Sequence, residues 1–190
     1  VPILVTSDTD PHDYEPFPED IKAATDADVL SYNALNLEGG ERGWFFRLVN
    51  SVNQSEDNVY KATQGIEPMY LADEEGNQEV NPHAFISPKV GIQMTKNIRD
   101  ALIESMPEQA DYFQKQADEY LSQLEKTDQD YTEKIGEIPE EDRIFIASEQ
   151  SFQYMTAEYG LKEGYIWAID TDENGTPDQI KSTIDFVREN

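Results

Sequence analysis

Two histidines, His12 and His83, are the only imidazoles in this 190-residue chain, and each directly follows a proline, in Asp10-Pro11-His12-Asp13 and Asn81-Pro82-His83-Ala84. With proline at about 5% of residues, both would follow one by chance in roughly one chain in 400. Proline fixes its own φ and restricts the residue before it, so a neighbouring loop imidazole is held in a set direction at small entropic cost. Rigid presentation is what a metal ligand needs. The same two residues could do no more than cap or hydrogen-bond their loops, and residue chemistry alone leaves both readings open. Cysteine is absent, which excludes disulfides, thiolate zinc sites and cysteine nucleophiles. Any metal held here must use imidazole and oxygen.

The elements that would position such residues alternate. Pro2-Ile3-Leu4-Val5 reads as a short buried strand. A polar loop then leads to a helix with Pro18 in its first turn and Glu19 and Asp20 beside its positive end. Asp28 to Tyr32 reads as the next strand. Beyond the Gly39-Gly40 break, Trp44, Phe45, Leu48, Val49 and Val52 recur at helical spacing, and Val59 to Thr63 suggests another strand. Such alternation predicts βαβ units with a largely parallel sheet, whose ligand sites lie in loops at the carboxyl ends of strands; His12 and His83 both stand in loops. A helix is expected from Pro88, and a second opened by Pro107 runs to Ile135, with Gly136 and Pro139 as its stop. If continuous it would be roughly 45 Å long, enough to bridge two lobes. The alternation resumes with a strand from Arg143 to Ala147, a helix around Phe152 to Tyr159, a strand from Tyr165 to Ile169 and a helix from Pro177. Thr176-Pro177-Asp178-Gln179 supplies that last helix with a capping box.

Forty acidic residues against fourteen basic ones leave a formal charge of −26, which repels phosphate backbones and argues against nucleic acid as a partner. The same field draws in cations, although solubility or a salty medium explains the acidity equally well. The clusters Asp73-Glu74-Glu75 and Glu140-Glu141-Asp142 read as solvated loops. No apolar run is long enough to span a membrane, and the sequence opens at Val1 inside what reads as a strand, without signal-peptide features of its own.

The stretch Asp10-Pro11-His12-Asp13-Tyr14-Glu15-Pro16 followed by Pro18-Glu19-Asp20 resembles the metal-binding lipoproteins of the cluster A-I solute-binding family, also called adhesion lipoproteins. So do Tyr32-Asn33-Ala34-Leu35-Asn36-Leu37-Glu38 leading to Trp44-Phe45, and then Asn81-Pro82-His83-Ala84-Phe85, Ser148-Glu149, Tyr165-Ile166-Trp167 and Gly175-Thr176-Pro177-Asp178-Gln179-Ile180. The matches cover nearly the whole chain in the family's order. They imply the substrate-binding component of a manganese or zinc ABC importer, with an α/β fold of two lobes joined by a long helix and the ion between them.

Residue by residue, the resemblance implies that His12 and His83 supply imidazoles from a first lobe and Glu149 a carboxylate from a second. That donor set suits manganese, iron or zinc, and a carboxylate in place of a third histidine tilts it towards harder ions. Zinc-specific members carry a histidine-rich loop before the second histidine. Here Tyr70 to Val80 is acidic without histidine, so Mn2+ is expected ahead of Fe2+ or Zn2+. Asn81 replaces the family's aspartate, a minor departure because that position precedes the ligand and is not expected to touch the ion. The family's first strand and helix are expected before Val1, and its fourth ligand, an aspartate, beyond Asn190.

The expected division is a first metal-binding lobe over 1–106, a linking helix over 107–138 and a partial second lobe over 139–190. A long linker should keep conformational change on metal binding small. A membrane permease is the implied partner, and a cell-surface lipoprotein or periplasmic location the implied setting. An adhesin with an incomplete site is the alternative. A zinc hydrolase ranks below it, because neither a His-Glu-x-x-His helix nor a general base beside the ligands is visible.

Overall fold

The computed structural model describes residues 2–72, 78–168 and 175–190. By internal packing they form two compact units. One comprises 1–66 and 93–121, the other 67–92 and 122–190.

In the first unit, helix α1 (Pro18–Thr25) begins with proline at its first position, and the Asp20 carboxylate accepts the Phe17 N–H at 2.8 Å, closing one of the orphan donors of a helix start. Strand β1 (Leu30–Tyr32) follows. The chain next turns through Gly39 and Gly40, at φ 77° and 63°, into helix α2 (Trp44–Ser51). Gly43 precedes α2 because a β-carbon there would stand 1.7 Å from the Glu38 carbonyl oxygen, so only glycine permits that approach. Helix α2 buries Trp44, Phe45, Leu48 and Val49 against Tyr14 and Leu30. Strand β2 (Val59–Lys61) pairs parallel with β1, Leu30 opposite Val59, as a βαβ crossover requires.

Pro2 to Val5 forms no strand. Among the described residues nothing pairs with it, and Leu4 and Val5 pack as irregular chain against the α2 core. An apolar run becomes a strand only where a neighbour takes up its backbone hydrogen bonds.

The second unit holds strands β3 (Tyr70–Ala72) and β4 (Gln78–Val80), an antiparallel pair where a loop was expected. Helix α3 (Pro88–Ser105) gives this unit its first turn and the first unit the remainder. Pro107 opens a short 3-10 turn of the first unit rather than the long helix, which is α4 (Ala110–Gly136), about 40 Å at 1.5 Å per residue, in the first unit up to Leu121 and in the second from Ser122. Strand β5 (Ile144–Glu149), helix α5 (Gln153–Tyr159) and strand β6 (Lys162–Trp167) make a second parallel pair, Ile146 opposite Gly164 and Glu149 opposite Trp167. Helix α6 (Pro177–Glu189) lies on β6, and a β-carbon at Gly164 would meet the Phe186 ring at 2.7 Å. The Thr176 capping box forms as expected: the Thr176 hydroxyl accepts from Gln179 N at 3.2 Å, and Gln179 Oε1 accepts from Thr176 N at 2.8 Å. The class is α/β with parallel strand pairs and one long helix. Val1, the cluster Asp73-Glu74-Glu75 and the strand end at Ile169 lie outside the described residues.

Candidate metal centre

Both histidines sit behind the same local device. The Asp10 carboxylate accepts the His12 N–H at 2.8 Å, and the Asn81 side-chain oxygen accepts the His83 N–H at 3.0 Å. In each case an Asx side chain bonds the backbone two residues on, across the intervening proline. Proline was the visible half of this motif. The Asx residue, equally plain in both tripeptides, is the half that the spacing argument passed over.

In the first unit the His12 loop is pinned from its other side as well. Trp44 Nε1 donates to the Pro11 carbonyl at 2.8 Å, the Tyr14 ring stands edge-on to Trp44 at 5.0 Å, and the Tyr14 hydroxyl donates to Asp20. Burial first, and that hydrogen bond second, push the Tyr14 hydroxyl up to about 12. A raised folded value means that the stabilisation is complete below the ordinary tyrosine range and is lost as pH rises through the folded value. The stability difference between wild type and Tyr14→Phe is therefore expected to shrink between about pH 10 and about pH 12, read from urea midpoints. A difference that stays constant with pH would overturn the assignment.

Beyond β1 the chain enters an unusual turn. Ala34, Leu35 and Asn36 take φ of 68°, 50° and 69° in succession, a left-handed stretch costing about 1–2 kcal/mol per non-glycine residue. Glu38 holds it, its carboxylate accepting from Asn33 N at 2.6 Å and Ala34 N at 3.0 Å. Burial raises the pKa of Glu38, while these amides and any charge on His12 pull the other way.

In the second unit β5 carries Glu149 to its carboxyl end, and Gln150 N donates to the Trp167 carbonyl at 3.0 Å. The chain turns at once into α5, with Phe152 N donating to Glu163 at 3.1 Å. Facing it is the His83 turn. Asn81 N donates to the Met69 carbonyl at 2.8 Å, and the Tyr154 hydroxyl donates to the Asn81 carbonyl at 2.9 Å while accepting from Met69 N at 2.8 Å. This staple brings His83 Nε2 to 3.6 Å from Glu149 Oε1, the two side chains 10% and 21% exposed. An imidazole nitrogen and a carboxylate oxygen at that separation, largely shielded from water, suit a metal cation bound between them.

The structure thus brings His83 and Glu149 together within one unit and places His12, half-buried, in the other. Among the described residues no three His, Cys, Asp or Glu side chains gather closely enough to hold an ion in common. Sequence reasoning missed Asn81, Glu38 and Tyr154 as supports.

The parallel α/β pairs place the imidazole–carboxylate pair at a strand's carboxyl end, where the ligand sites of open α/β sheets lie. The whole chain, residues 1–190, matches the family described as ZnuA, the periplasmic component A of a zinc-uptake complex, and belongs to it. It is similar to the manganese ABC transporter substrate-binding lipoprotein PsaA of Streptococcus mitis, 36% identical over 187 residues, covering 98% of this chain and 60% of that protein. To the metal ABC transporter substrate-binding lipoprotein SloC of Streptococcus mutans it is 39% identical over 186 residues, 97% of this chain and 61% of that one. Among solved structures, a Mn-bound mutant of the periplasmic metal binding protein from Candidatus Liberibacter asiaticus superposes with a TM-score of 0.82 at 26% identity, covering 98% of this chain and 67% of that one. The chain spans about 60% of the length of the curated relatives it matches.

Proposed function

We propose that this protein is the substrate-binding component of an ABC importer, capturing a divalent transition metal, with Mn2+ ahead of Zn2+ or Fe2+ as its physiological cargo, and handing it to a membrane permease. His83 and Glu149 are ligands supplied by one unit, and the family resemblance adds His12 as a third. The role is capture, shielding and delivery, with no bond made or broken in the cargo, and its setting is outside the cytoplasmic membrane as a surface lipoprotein or periplasmic protein.

The observation that carries this reading is the approach of His83 Nε2 to Glu149 Oε1 at 3.6 Å behind a buried Asx-Pro turn. Relatives named for manganese or metal transport point the same way. Two lone-pair donors held this close are preorganised for a cation, because the cost of desolvating them is met on folding rather than on binding. Imidazole with carboxylate accepts Mn2+, Fe2+ and Zn2+, and the Irving–Williams order makes zinc the tighter ligand in vitro whatever the physiological cargo.

Calorimetric titration of the chelator-stripped chain with Mn2+ and separately with Zn2+ tests the reading. One-to-one binding of both, zinc the tighter, is expected. Absence of binding by either ion would overturn it.

A further inference from the structure

A single buried amide serves both members of the pair. Asn81 is wholly buried. Its Oδ1 accepts the His83 N–H at 3.0 Å and stands 2.9 Å from His83 Nδ1. Its Nδ2 donates to the Gln150 carbonyl at 3.0 Å and to Gln153 Oε1 at 3.1 Å.

These four contacts settle which way the amide points. Turned over, its NH2 would face the His83 N–H and its oxygen would face the Gln150 carbonyl, two like-against-like contacts in a buried place. With Oδ1 towards the ring, the neighbouring nitrogen must bring the proton, since a carboxamide oxygen only accepts. The neutral imidazole is then protonated on Nδ1 and carries its lone pair on Nε2, the atom 3.6 Å from Glu149. Through Gln150 the same amide grips the residue that follows Glu149 in the chain.

We infer that Asn81 is a positioning residue that sets the His83 tautomer and ties the His83 turn to the Glu149 strand end, so that both lone pairs are presented to an incoming cation without a prior proton shift. This rests on the reading of the pair as a metal site. Outer partners of ligating histidines act in this way, fixing tautomer and ring orientation. An amide does so here with a property that a carboxylate lacks: it accepts from the ring while donating to the opposite loop, and it adds no charge beside Glu149. Asn81 therefore acts without touching the ion.

With only two histidines in the chain, 15N-histidine NMR of the metal-free protein, at a pH well above the ordinary imidazole range, reads the tautomer directly. A His12→Gln variant distinguishes the two rings. The expected result is a His83 ring protonated on Nδ1 in wild type and in Asn81→Asp, whose carboxylate still accepts, and a mixture of tautomers in Asn81→Ala. The Mn2+ affinity of Asn81→Ala should fall roughly 10- to 100-fold. A merely structural Asn81 would lower stability in both variants without moving the tautomer.

A wild-type His83 protonated on Nε2 would overturn the inference without recourse to any variant. So would an Asn81→Ala protein that keeps both tautomer and affinity. If wild type shows the expected tautomer and yet binds no Mn2+, the metal-capture reading fails while the role of Asn81 on the ring stands.

Discussion

Replacing His83 with alanine is expected to lower the affinity for Mn2+ by at least about 100-fold, beyond the loss that follows removal of an outer partner of a ligating histidine. His83 is one of the two side chains that the second unit brings into register, with Nε2 3.6 Å from Glu149 Oε1. Its removal leaves Glu149 without the imidazole beside it, and a carboxylate stripped of that neighbour holds a transition metal far more weakly. The fold should survive, because the Asn81 and Tyr154 bonds that shape the turn run through backbone atoms and the Asn81 amide rather than through the imidazole. Calorimetry on wild type and variant, with circular dichroism as the check on folding, reads the result. A folded His83→Ala protein that retains wild-type affinity would remove His83 from the site and with it the proposed mechanism.

Glu38→Ala should be among the most destabilising single changes in the first unit. The carboxylate accepts two backbone N–H groups, from Asn33 at 2.6 Å and Ala34 at 3.0 Å, at the entry to three successive left-handed residues. Strain of that kind persists only where the surroundings over-determine it. Each shielded donor left without an acceptor costs about 1–3 kcal/mol, so a total loss of about 2–6 kcal/mol is expected. It would appear as a lower urea midpoint with an unchanged slope. Glu38→Gln, which offers one acceptor where two are needed, should fall between alanine and wild type. A loss below about 1 kcal/mol would show that the turn is held by its own bonds, Leu37 N to the Ala34 carbonyl and Gly39 N to the Asn36 carbonyl, since a single net hydrogen bond contributes about that much.

Much of the fold was legible from local pattern. The helical spacing of Trp44, Phe45, Leu48 and Val49 became the buried face of α2, and Thr176-Pro177-Asp178-Gln179 became the capping box of α6. These features depend on residues a few positions apart, where propensity and side-chain bonds to backbone decide the outcome. The Asx-Pro-His tripeptides belong to the same class, and both turns formed. Where pairing was needed the local signal failed. Pro2 to Val5 had the composition of a strand and no pairing strand among the described residues, whereas Tyr70–Ala72 and Gln78–Val80 looked like loop and paired with each other.

The sequence by itself determined the α/β class, the family and the candidate ligands His12, His83 and Glu149. Only the tertiary structure decided that His83 packs in one unit with Glu149, and that Asn81 lies buried between their loops. The contacts responsible join residues 69 to 85 positions apart, Asn81 to Gln150 and Gln153 and Met69 to Tyr154. No periodicity or short motif encodes such a meeting. It follows from burying β5, α5 and the His83 turn together, which leaves the Asn81 amide and the Tyr154 hydroxyl no water to bond and so compels them to find each other's loops.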